Sequence, residues 1–258
     1  AVVGVDIGGT KCAVLAGAVD GTVHRRTAFP TADVETTLDR IAGAINELAP
    51  GRAPVFGVSC GSPLDAADGV IQSPPNLPGW DDVPITQRLT ARFGGTAWLM
   101  NDANAGALAE HYYGAGRGVD HLVFLTHGTG FGAGIISHGL LLEGATGDAG
   151  EVGHVRLADD GPVGYGKPGS VEGFCSGGGI GRWAALRGLC YDSARDVADA
   201  ARRGDAAAYR LMLDHGRQVG RAVAMIVDIL NPERVILGSI YGRCRDLLEA
   251  PLRSVLDQ

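Results

Sequence analysis

Short apolar runs separated by turn residues open the chain and recur through its first hundred residues, a pattern typical of buried or half-buried β-strands. The predicted strands are VVGVD (2–6), AVLAG (13–17), TVHRRTA (22–28), PVFGVS (54–59) and AWLM (97–100). A turn, VDGT (19–22), separates the second strand from the third. The opening is therefore predicted to be strand, Gly-Gly turn, strand.

Apolar residues recur at helical spacing in other stretches. One run begins at Val34 and ends at Pro50 and Gly51, which predicts an amphipathic helix. A second predicted helix, ANAGALAEHYY (103–113), directly follows a strand. Strands that alternate with helices indicate an α/β fold.

The strand pattern restarts after Gly114. The predicted strands of this half are HLVFLT (121–126), GIIS (134–137), GLLL (139–142) and RVILG (234–238). A long helix before the last of them has one apolar face, formed by Met212, Val219, Val223, Ile226 and Leu230. We therefore predict two α/β lobes, residues 1–112 and 113–258, each opening with strand, glycine-rich turn, strand.

Composition excludes some classes of function. The 258 residues carry a formal net charge of −7, and the charged residues are dispersed, so nucleic-acid binding is not expected. No apolar run approaches the roughly 20 residues of a membrane-spanning helix, so no membrane segment is expected. Five cysteines lie at least fifteen residues apart, which fits a cytoplasmic protein without disulfides.

Two glycine clusters are candidate phosphate-binding turns. In DIGGTK (6–11) the glycines let backbone approach phosphate oxygens, Thr10 and Lys11 add a hydroxyl and a charge, and Asp6 could face Mg²⁺ through water. HGTGFGAG (127–134) lacks the helix that follows a dinucleotide-binding loop. Plain glycine hairpins remain the alternative for each cluster, but two of them suggest a nucleotide held between lobes.

Asn101 and Asp102 stand between a predicted strand and a predicted helix. The strand end is where α/β folds place ligands, and an aspartate there can orient a nucleophile for phosphoryl transfer. The alternative is that Asp102 is only a helix cap.

Glu151, His154 and Glu172 lie within one glycine-rich stretch, and their side chains suit either a metal or a polyol. No cysteine lies between His154 and Glu172, so a polyol is the preferred ligand. Asn76, in the proline-rich segment PPNLPGW (74–80), is a further candidate sugar contact, with a rigid surface turn as the alternative.

An ordered set of motifs resembles the ROK sugar kinases over nearly the whole chain. The motifs are, in order, VDIGGTK, PPNLPGW, NDANAGALAE, GTGFGAGII, GEVGH, SVEGFCSGGGI and NPERVILG. The resemblance implies a two-lobed actin-like ATPase (ribonuclease H-like) fold with the active site in the cleft between the lobes. It also implies ATP and Mg²⁺ as cofactors, a sugar and a nucleotide as ligands, and a homodimer.

The resemblance also implies roles for individual residues. Asp102 would be the general base at the sugar 6-hydroxyl, and glucose is the first candidate, followed by N-acetylglucosamine and N-acetylmannosamine. The first phosphate site would comprise Asp6, Gly8, Gly9, Thr10 and Lys11, and the second Gly128, Thr129 and Gly130. The sugar contacts would be Asn76, Asn101, Glu151, His154 and Glu172.

Three departures from the family pattern change these expectations. Many members carry three zinc-binding cysteines where this chain has Val163, Tyr165 and Ser170, so structural zinc is not expected and the loop must be shaped partly by packing of Tyr165. The family's Gly-Gly-Gly near the adenosine is Gly238-Ser239-Ile240, which leaves the phosphoryl donor open. A closing helical segment is expected beyond Gln258. A sugar-responsive regulator and a non-catalytic sugar-binding protein are the alternative functions.

Overall fold

A computed structural model describes residues 2–50, 55–191 and 193–258. The chain divides into an N-terminal unit, Ala1–Ala105, and a C-terminal unit, Gly106–Gln258. The division falls seven residues before the boundary predicted from the sequence. The assignment of these two units as the predicted lobes stays a prediction.

A five-stranded sheet in the order β3-β2-β1-β4-β7 forms the N-terminal unit. Its strands are β1 (Val2–Ile7), β2 (Lys11–Gly17), β3 (Val23–Pro30), β4 (Val55–Cys60) and β7 (Thr96–Asn101). The first three pair antiparallel, whereas β1, β4 and β7 run parallel. The predicted strands are confirmed, except that Pro54 of PVFGVS lies outside the described residues.

Helix α1 (Val34–Leu48) covers this sheet through the apolar face that its spacing predicts. Asp33 caps the helix, since its carboxylate accepts a hydrogen bond from the Thr36 N–H at 3.0 Å. Ile41 and Ile45 are fully buried in the core against the strands. The smaller elements of the unit are β5 (Leu64–Asp65), β6 (Val70–Ile71) and α2 (Ile85–Phe93).

A four-stranded sheet in the order β10-β9-β8-β13 begins the C-terminal unit. Its strands are β8 (Leu122–His127), β9 (Phe131–Ser137), β10 (Leu140–Leu141) and β13 (Arg234–Leu237). Strand β9 begins at Phe131, inside the second glycine cluster, and pairs antiparallel with β8, which confirms the predicted hairpin. The predicted strand GLLL is shorter than expected.

Helices complete the C-terminal unit. They are α4 (Val171–Cys175), α5 (Gly177–Leu186), α6 (Ala194–Arg202), α7 (Ala206–Leu230), α8 (Ile240–Arg243) and α9 (Arg245–Leu256), with a 3-10 turn at Val152–His154 and a small hairpin of β11 (Val163–Gly164) and β12 (Lys167–Pro168). Helix α7 confirms the predicted long helix and buries Met212, Val219 and Val223. Helix α3 (Asp102–Tyr113) follows β7, one residue earlier than predicted.

Two histidines are buried together in the core of the C-terminal unit. The Nε2 atoms of His127 and His215 lie 2.9 Å apart, and His215 Nδ1 lies 2.8 Å from the Phe174 carbonyl. Because a carbonyl only accepts, His215 Nδ1 carries the proton and its Nε2 accepts from the His127 Nε2–H. The pair therefore ties β8 to α4 and α7 while both rings are neutral.

No helix in the described ranges is both long enough and apolar enough to span a membrane.

Candidate active site

The parallel strands of the N-terminal sheet end together at one edge. Ile7 of β1 pairs with Cys60 of β4, and Cys60 pairs with Asn101 of β7. Asp6 lies one residue before this edge and Asp102 one residue after it. Two carboxylates predicted as functional thus lie at the same edge of the sheet, on strands separated by β4, and the carboxyl ends of strands are where α/β folds bind ligands.

Asn101 caps helix α3. Its Oδ1 accepts a hydrogen bond from the Ala103 N–H at 2.8 Å, and its Nδ2 donates to Ser62 Oγ at 2.7 Å. The helix start thus has a cap one residue before Asp102, and a capping role for Asp102 is not needed. Asn101 is held rigidly by the same two bonds, so one of its amide N–H groups is committed to the fold.

Asp102 is exposed at the start of α3. Burial raises the pKa of the Cys60 thiol to about 12, and the negative charge of Asp102 contributes to that rise. The Asp102 carboxylate is therefore close to the strand edge itself. An exposed acid at this position can reach a ligand that lies across the edge.

The first glycine turn, between β1 and β2, is held from one side by Thr31. The Thr31 hydroxyl donates to the Gly8 carbonyl at 2.5 Å, and the Thr31 N–H donates to the Thr10 carbonyl at 3.2 Å. Thr10 and Lys11 themselves are exposed. The backbone of the turn is thus held by Thr31, and the side chains of Thr10 and Lys11 are exposed to solvent.

Asp6 precedes the turn and accepts a hydrogen bond from the Ser59 hydroxyl at 3.4 Å. Burial raises the pKa of Asp6, while the Ser59 hydroxyl and the positive charges of Arg26 and Lys11 lower it. The carboxylate is accessible and offers the oxygen ligands that Mg²⁺ prefers, so it fits the role predicted for it.

The other face of the glycine turn lies against the segment that carries Asn76. A Cβ added to Gly9 would stand 2.2 Å from the Asn76 carbonyl oxygen. The segment is itself rigid, because the Ser73 N–H donates to the Trp80 carbonyl at 2.9 Å and the Trp80 ring is fully buried. The turn predicted to bind phosphate and the loop predicted to bind sugar are therefore in direct backbone contact.

We expect Gly9→Ala to lower kcat/KM by about 100-fold, since the added methyl group must displace the Asn76 backbone by about 1 Å, and misplacement on that scale has this effect. Steady-state kinetics with both substrates measure the loss. The matched control is Gly43→Ala in α1, where an added Cβ meets nothing within 4 Å and alanine favours the helix. Equal activities of the two variants would contradict the contact's importance.

The second glycine turn, Gly128-Thr129-Gly130, joins β8 to β9. The Gly177 N–H donates to the Gly128 carbonyl at 2.8 Å, and the Gly178 N–H donates to the Thr129 carbonyl at 3.2 Å. The amino end of α5 is therefore bonded to the turn. A Cβ on Gly128 would have one neighbour within 4 Å, Ser239 Oγ at 4.0 Å, so the face of Gly128 is open to a ligand.

The Gly238-Ser239 segment lies beside this turn. The Gly238 N–H donates to the Leu125 carbonyl of β8 at 3.0 Å. Ser239 adopts a φ of 48°, a left-handed conformation that favours glycine, and its hydroxyl accepts a hydrogen bond from Arg243 at 2.7 Å. The chain thus keeps a glycine-like backbone at a position where it has a serine.

Glu151, His154 and Glu172 come together in the C-terminal unit. His154 Nε2 lies 3.7 Å from Glu151 Oε2, and among the described residues this nitrogen has no hydrogen-bond partner. Burial raises the pKa of Glu172, while a backbone N–H from Phe131 and the charge of Arg182 lower it. Glu172 Oε2 lies 3.0 Å from where a Cβ of Gly130 would be, so this cluster adjoins the second glycine turn.

The three positions that hold cysteines in many ROK proteins have other contacts here. Val163 belongs to the small hairpin, the Tyr165 ring packs against His154, and the buried Ser170 hydroxyl donates to the Gly164 carbonyl at 3.1 Å. None supplies a thiolate, so these residues do not fit a Cys₃His zinc site. In the described ranges no group of three or more potential ligands is arranged for a metal ion.

Sequence reasoning missed Thr31, Ser62 and Arg182 as residues of the site. Thr31 bonds to the Gly8 carbonyl and Ser62 to the Asn101 side chain, both far away in the sequence, so no local motif identifies either residue. Arg182 lies on α5 with its Nη1 3.2 Å from where a Cβ of Gly178 would be. Arg182 comes four residues after Gly178 of the motif SGGGI, so on a helix both residues lie on the face next to the second glycine turn. This spacing is the signal in the sequence that could have identified Arg182.

The sequence matches the ROK family over residues 2–258. The glucokinase of Thermotoga maritima is 37% identical over 270 residues, an alignment that covers 97% of this chain and 85% of the relative.

Solved structures of ROK proteins are similar to this chain over nearly its whole length. A ROK glucokinase from Streptomyces griseus in complex with glucose and AMPPNP has a TM-score of 0.85 at 29% identity, covering 99% of this chain and 88% of that one. The ROK hexokinase from Thermus thermophilus has a TM-score of 0.82 at 32% identity, covering 99% and 89%. The predicted actin-like ATPase fold is confirmed. This chain belongs to the ROK family.

Proposed function

We propose that the protein transfers a phosphoryl group from ATP to the 6-hydroxyl of a hexose, with glucose the first candidate and N-acetylglucosamine or N-acetylmannosamine next. The observation that carries the proposal is the exposed Asp102 at the strand edge that also carries Asp6, with the capping role already filled by Asn101. The glucose and AMPPNP bound by the Streptomyces griseus relative support the same pair of substrates.

Asp102 acts as the general base in this proposal. A carboxylate is far too weak to deprotonate an alcohol outright, but the transition state of phosphoryl transfer is loose. The nucleophile therefore needs orientation first and a proton acceptor late, when its bond to phosphorus has begun to form. A carboxylate that accepts the hydrogen bond of the 6-hydroxyl supplies both.

The hexose is held by Asn76, Asn101, Glu151, His154 and Glu172 in this proposal. Carboxylates and amide oxygens accept hydrogen bonds from sugar hydroxyls, and amide N–H groups donate to them. The unpartnered His154 Nε2 supports a ligand role for that side chain.

The two glycine turns would receive the nucleotide phosphates, the first with Thr10 and Lys11, the second with Gly128, Thr129 and Gly130. Mg²⁺, held through Asp6, would neutralise charge on the transferred group. Gly238 would contact the adenosine. Arg243, which is bonded to Ser239, adds a positive charge near the second turn.

The His154 to Glu172 segment is proposed to lack zinc, on the side chains present at positions 163, 165 and 170. Metal analysis of the purified protein tests the proposed absence of zinc, and one tightly held zinc per chain would contradict it.

The family resemblance also supports a cytoplasmic homodimer.

A panel of hexoses tests the activity. With ATP and Mg²⁺, ADP release should depend on the sugar added and should reach full rate with only one or two of glucose, mannose, N-acetylglucosamine and N-acetylmannosamine. Phosphorus NMR of the product should show a 6-phosphate. Replacing ATP by GTP or polyphosphate in the same assay identifies the donor.

Two outcomes would contradict the proposal. Sugar-independent ATP hydrolysis would indicate an ATPase without a sugar acceptor. Calorimetric binding of a hexose without turnover under any donor would indicate the sugar-binding or regulatory alternatives.

A further inference from the structure

Tyr165 has an unusual backbone conformation. It occupies the first of the two residues that connect β11 to β12, with a φ of 50°, and Gly166 follows with a φ of 68°. A two-residue hairpin turn with both residues at positive φ strongly favours Asn-Gly or Gly-Gly. A tyrosine at the first position is strained, so contacts of its side chain must offset the strain.

Those contacts join two residues of the proposed sugar site. The Tyr165 ring meets the His154 ring edge to face, with 4.1 Å between centroids and 70° between planes. The Tyr165 hydroxyl donates a hydrogen bond to the Glu172 carboxylate. A single side chain thus fixes the ring plane of one residue and the carboxylate of the other.

The surrounding backbone leaves little room for another arrangement. A Cβ on Gly153 would stand 3.3 Å from Tyr165 Cε2 and 3.4 Å from Glu172 Cβ, and one on Gly164 would stand 2.9 Å from Glu172 Cβ. The glycines let the three side chains pack closely. The Lys167 ammonium lies 3.5 Å from the His154 carbonyl and is the nearest cation of the same hairpin.

We propose that Tyr165 is a positioning residue that holds His154 and Glu172 in their hexose-binding orientation. The inference rests on the proposed function, because it assigns an effect on hexose binding. In relatives that carry the three cysteines, a metal would fix the histidine and the hairpin. In this chain Tyr165 stands at one of the three cysteine positions. Its ring contact fixes His154, and its hydroxyl bond to Glu172 fixes the hairpin.

Tyr165→Asn separates positioning from folding. Asparagine suits the first position of this turn better than tyrosine, so the hairpin should fold at least as well, while both side-chain contacts are lost. We expect KM for the hexose to rise about 10- to 100-fold, the value of a hydrogen bond to a charged group, with a smaller fall in kcat and an unchanged KM for ATP. Thermal stability should not fall.

Tyr165→Phe divides the effect between the two contacts, because it keeps the ring on His154 and removes the hydroxyl from Glu172. We expect an intermediate KM. The matched control is Tyr191→Phe, which removes a tyrosine hydroxyl bonded at 2.8 Å to a carboxylate, Asp205, outside the site. The control should leave the hexose KM unchanged.

Hydrogen exchange without sugar gives a second, independent measurement. Exchange in residues 151–155 should accelerate in Tyr165→Asn and stay as in the wild type in Tyr191→Phe. A hexose KM within about twofold of wild type in both Tyr165 variants would overturn the proposal, and so would unchanged exchange. If the wild type phosphorylates no hexose, the proposed function fails, and the exchange result alone then decides whether Tyr165 positions His154.

Discussion

Replacing Asp102 by asparagine is expected to lower kcat for hexose phosphorylation by about 10²- to 10⁴-fold, the usual effect of removing a positioned general base. Asparagine is close in size and can still donate to or accept from a hydroxyl, but it cannot take up the proton released as the bond to phosphorus forms. Because the cap of α3 comes from Asn101, the helix start should survive the change. Initial rates at saturating sugar and ATP measure the effect.

The control for this experiment is Asp39→Asn in α1. Asp39 is 77% exposed and lies 3.2 Å from Arg92, and an exposed ion pair of this kind contributes little to stability. It should retain wild-type kcat. Wild-type turnover in Asp102→Asn, or an equal loss in both variants, would contradict the assignment of Asp102 as the base.

Acid is expected to destabilise the C-terminal unit through its buried histidine pair. Burial lowers the pKa of His215 to about 4 and lowers that of His127 well below its usual range, while a histidine in the unfolded chain titrates near ~6.5. Between these values the unfolded chain binds the proton and the folded chain does not. His215 alone should therefore lower the free energy of unfolding by about 3 kcal/mol as the pH falls from 6.5 to 4.

Urea unfolding at a series of pH values measures this loss. The double variant His127→Gln with His215→Asn keeps polar side chains but removes both titrating rings, so its stability should change less over the same pH range. The control His24→Gln alters an exposed histidine of β3 and should keep the wild-type pH dependence. A double variant as sensitive to acid as the wild type would contradict the role of the pair.

Much of the fold could be predicted because strongly patterned segments follow their local preference. The spacing that begins at Val34 predicts α1, and the apolar runs that flank each glycine cluster predict the two hairpins. Helix α2 was not predicted, because a nine-residue helix that buries only Ile85 and Leu89 has too short a pattern to be distinguished from a loop.

The packing of α7 against α9 shows a different limit. Gly216 and Gly220 weaken a helix by local preference, and Pro251 in general ends one, yet all three lie inside these helices. A Cβ on Gly216 would stand 2.6 Å from the Pro251 ring, so the glycines allow the two helices to approach closely. Contact between distant segments outweighs local preference here, and one sequence does not reveal such contacts.

Some residues of the candidate site could be predicted from local motifs, and others could not. Residues within one motif, such as Asp6 and Lys11 or Asn101 and Asp102, could be chosen because their spacing and residue types carry the chemistry. Thr31 could not be chosen, since its hydroxyl reaches the Gly8 carbonyl from a strand end twenty-three positions away. The positive φ of Tyr165 was equally hidden, because tyrosine is a residue that turn preferences would exclude there.

The contact between Gly9 and the Asn76 carbonyl limits how this enzyme scaffold can be altered for other sugars. A library that varies only residues 74–80 changes the shape of a loop whose backbone packs against the turn proposed to bind phosphate, so many of its members would also disturb that turn. Libraries that vary Glu151 and its neighbours in the C-terminal unit avoid this linkage. Selections for altered hexose preference should therefore recover changes at 151 and 154 more often than changes of backbone length around Asn76.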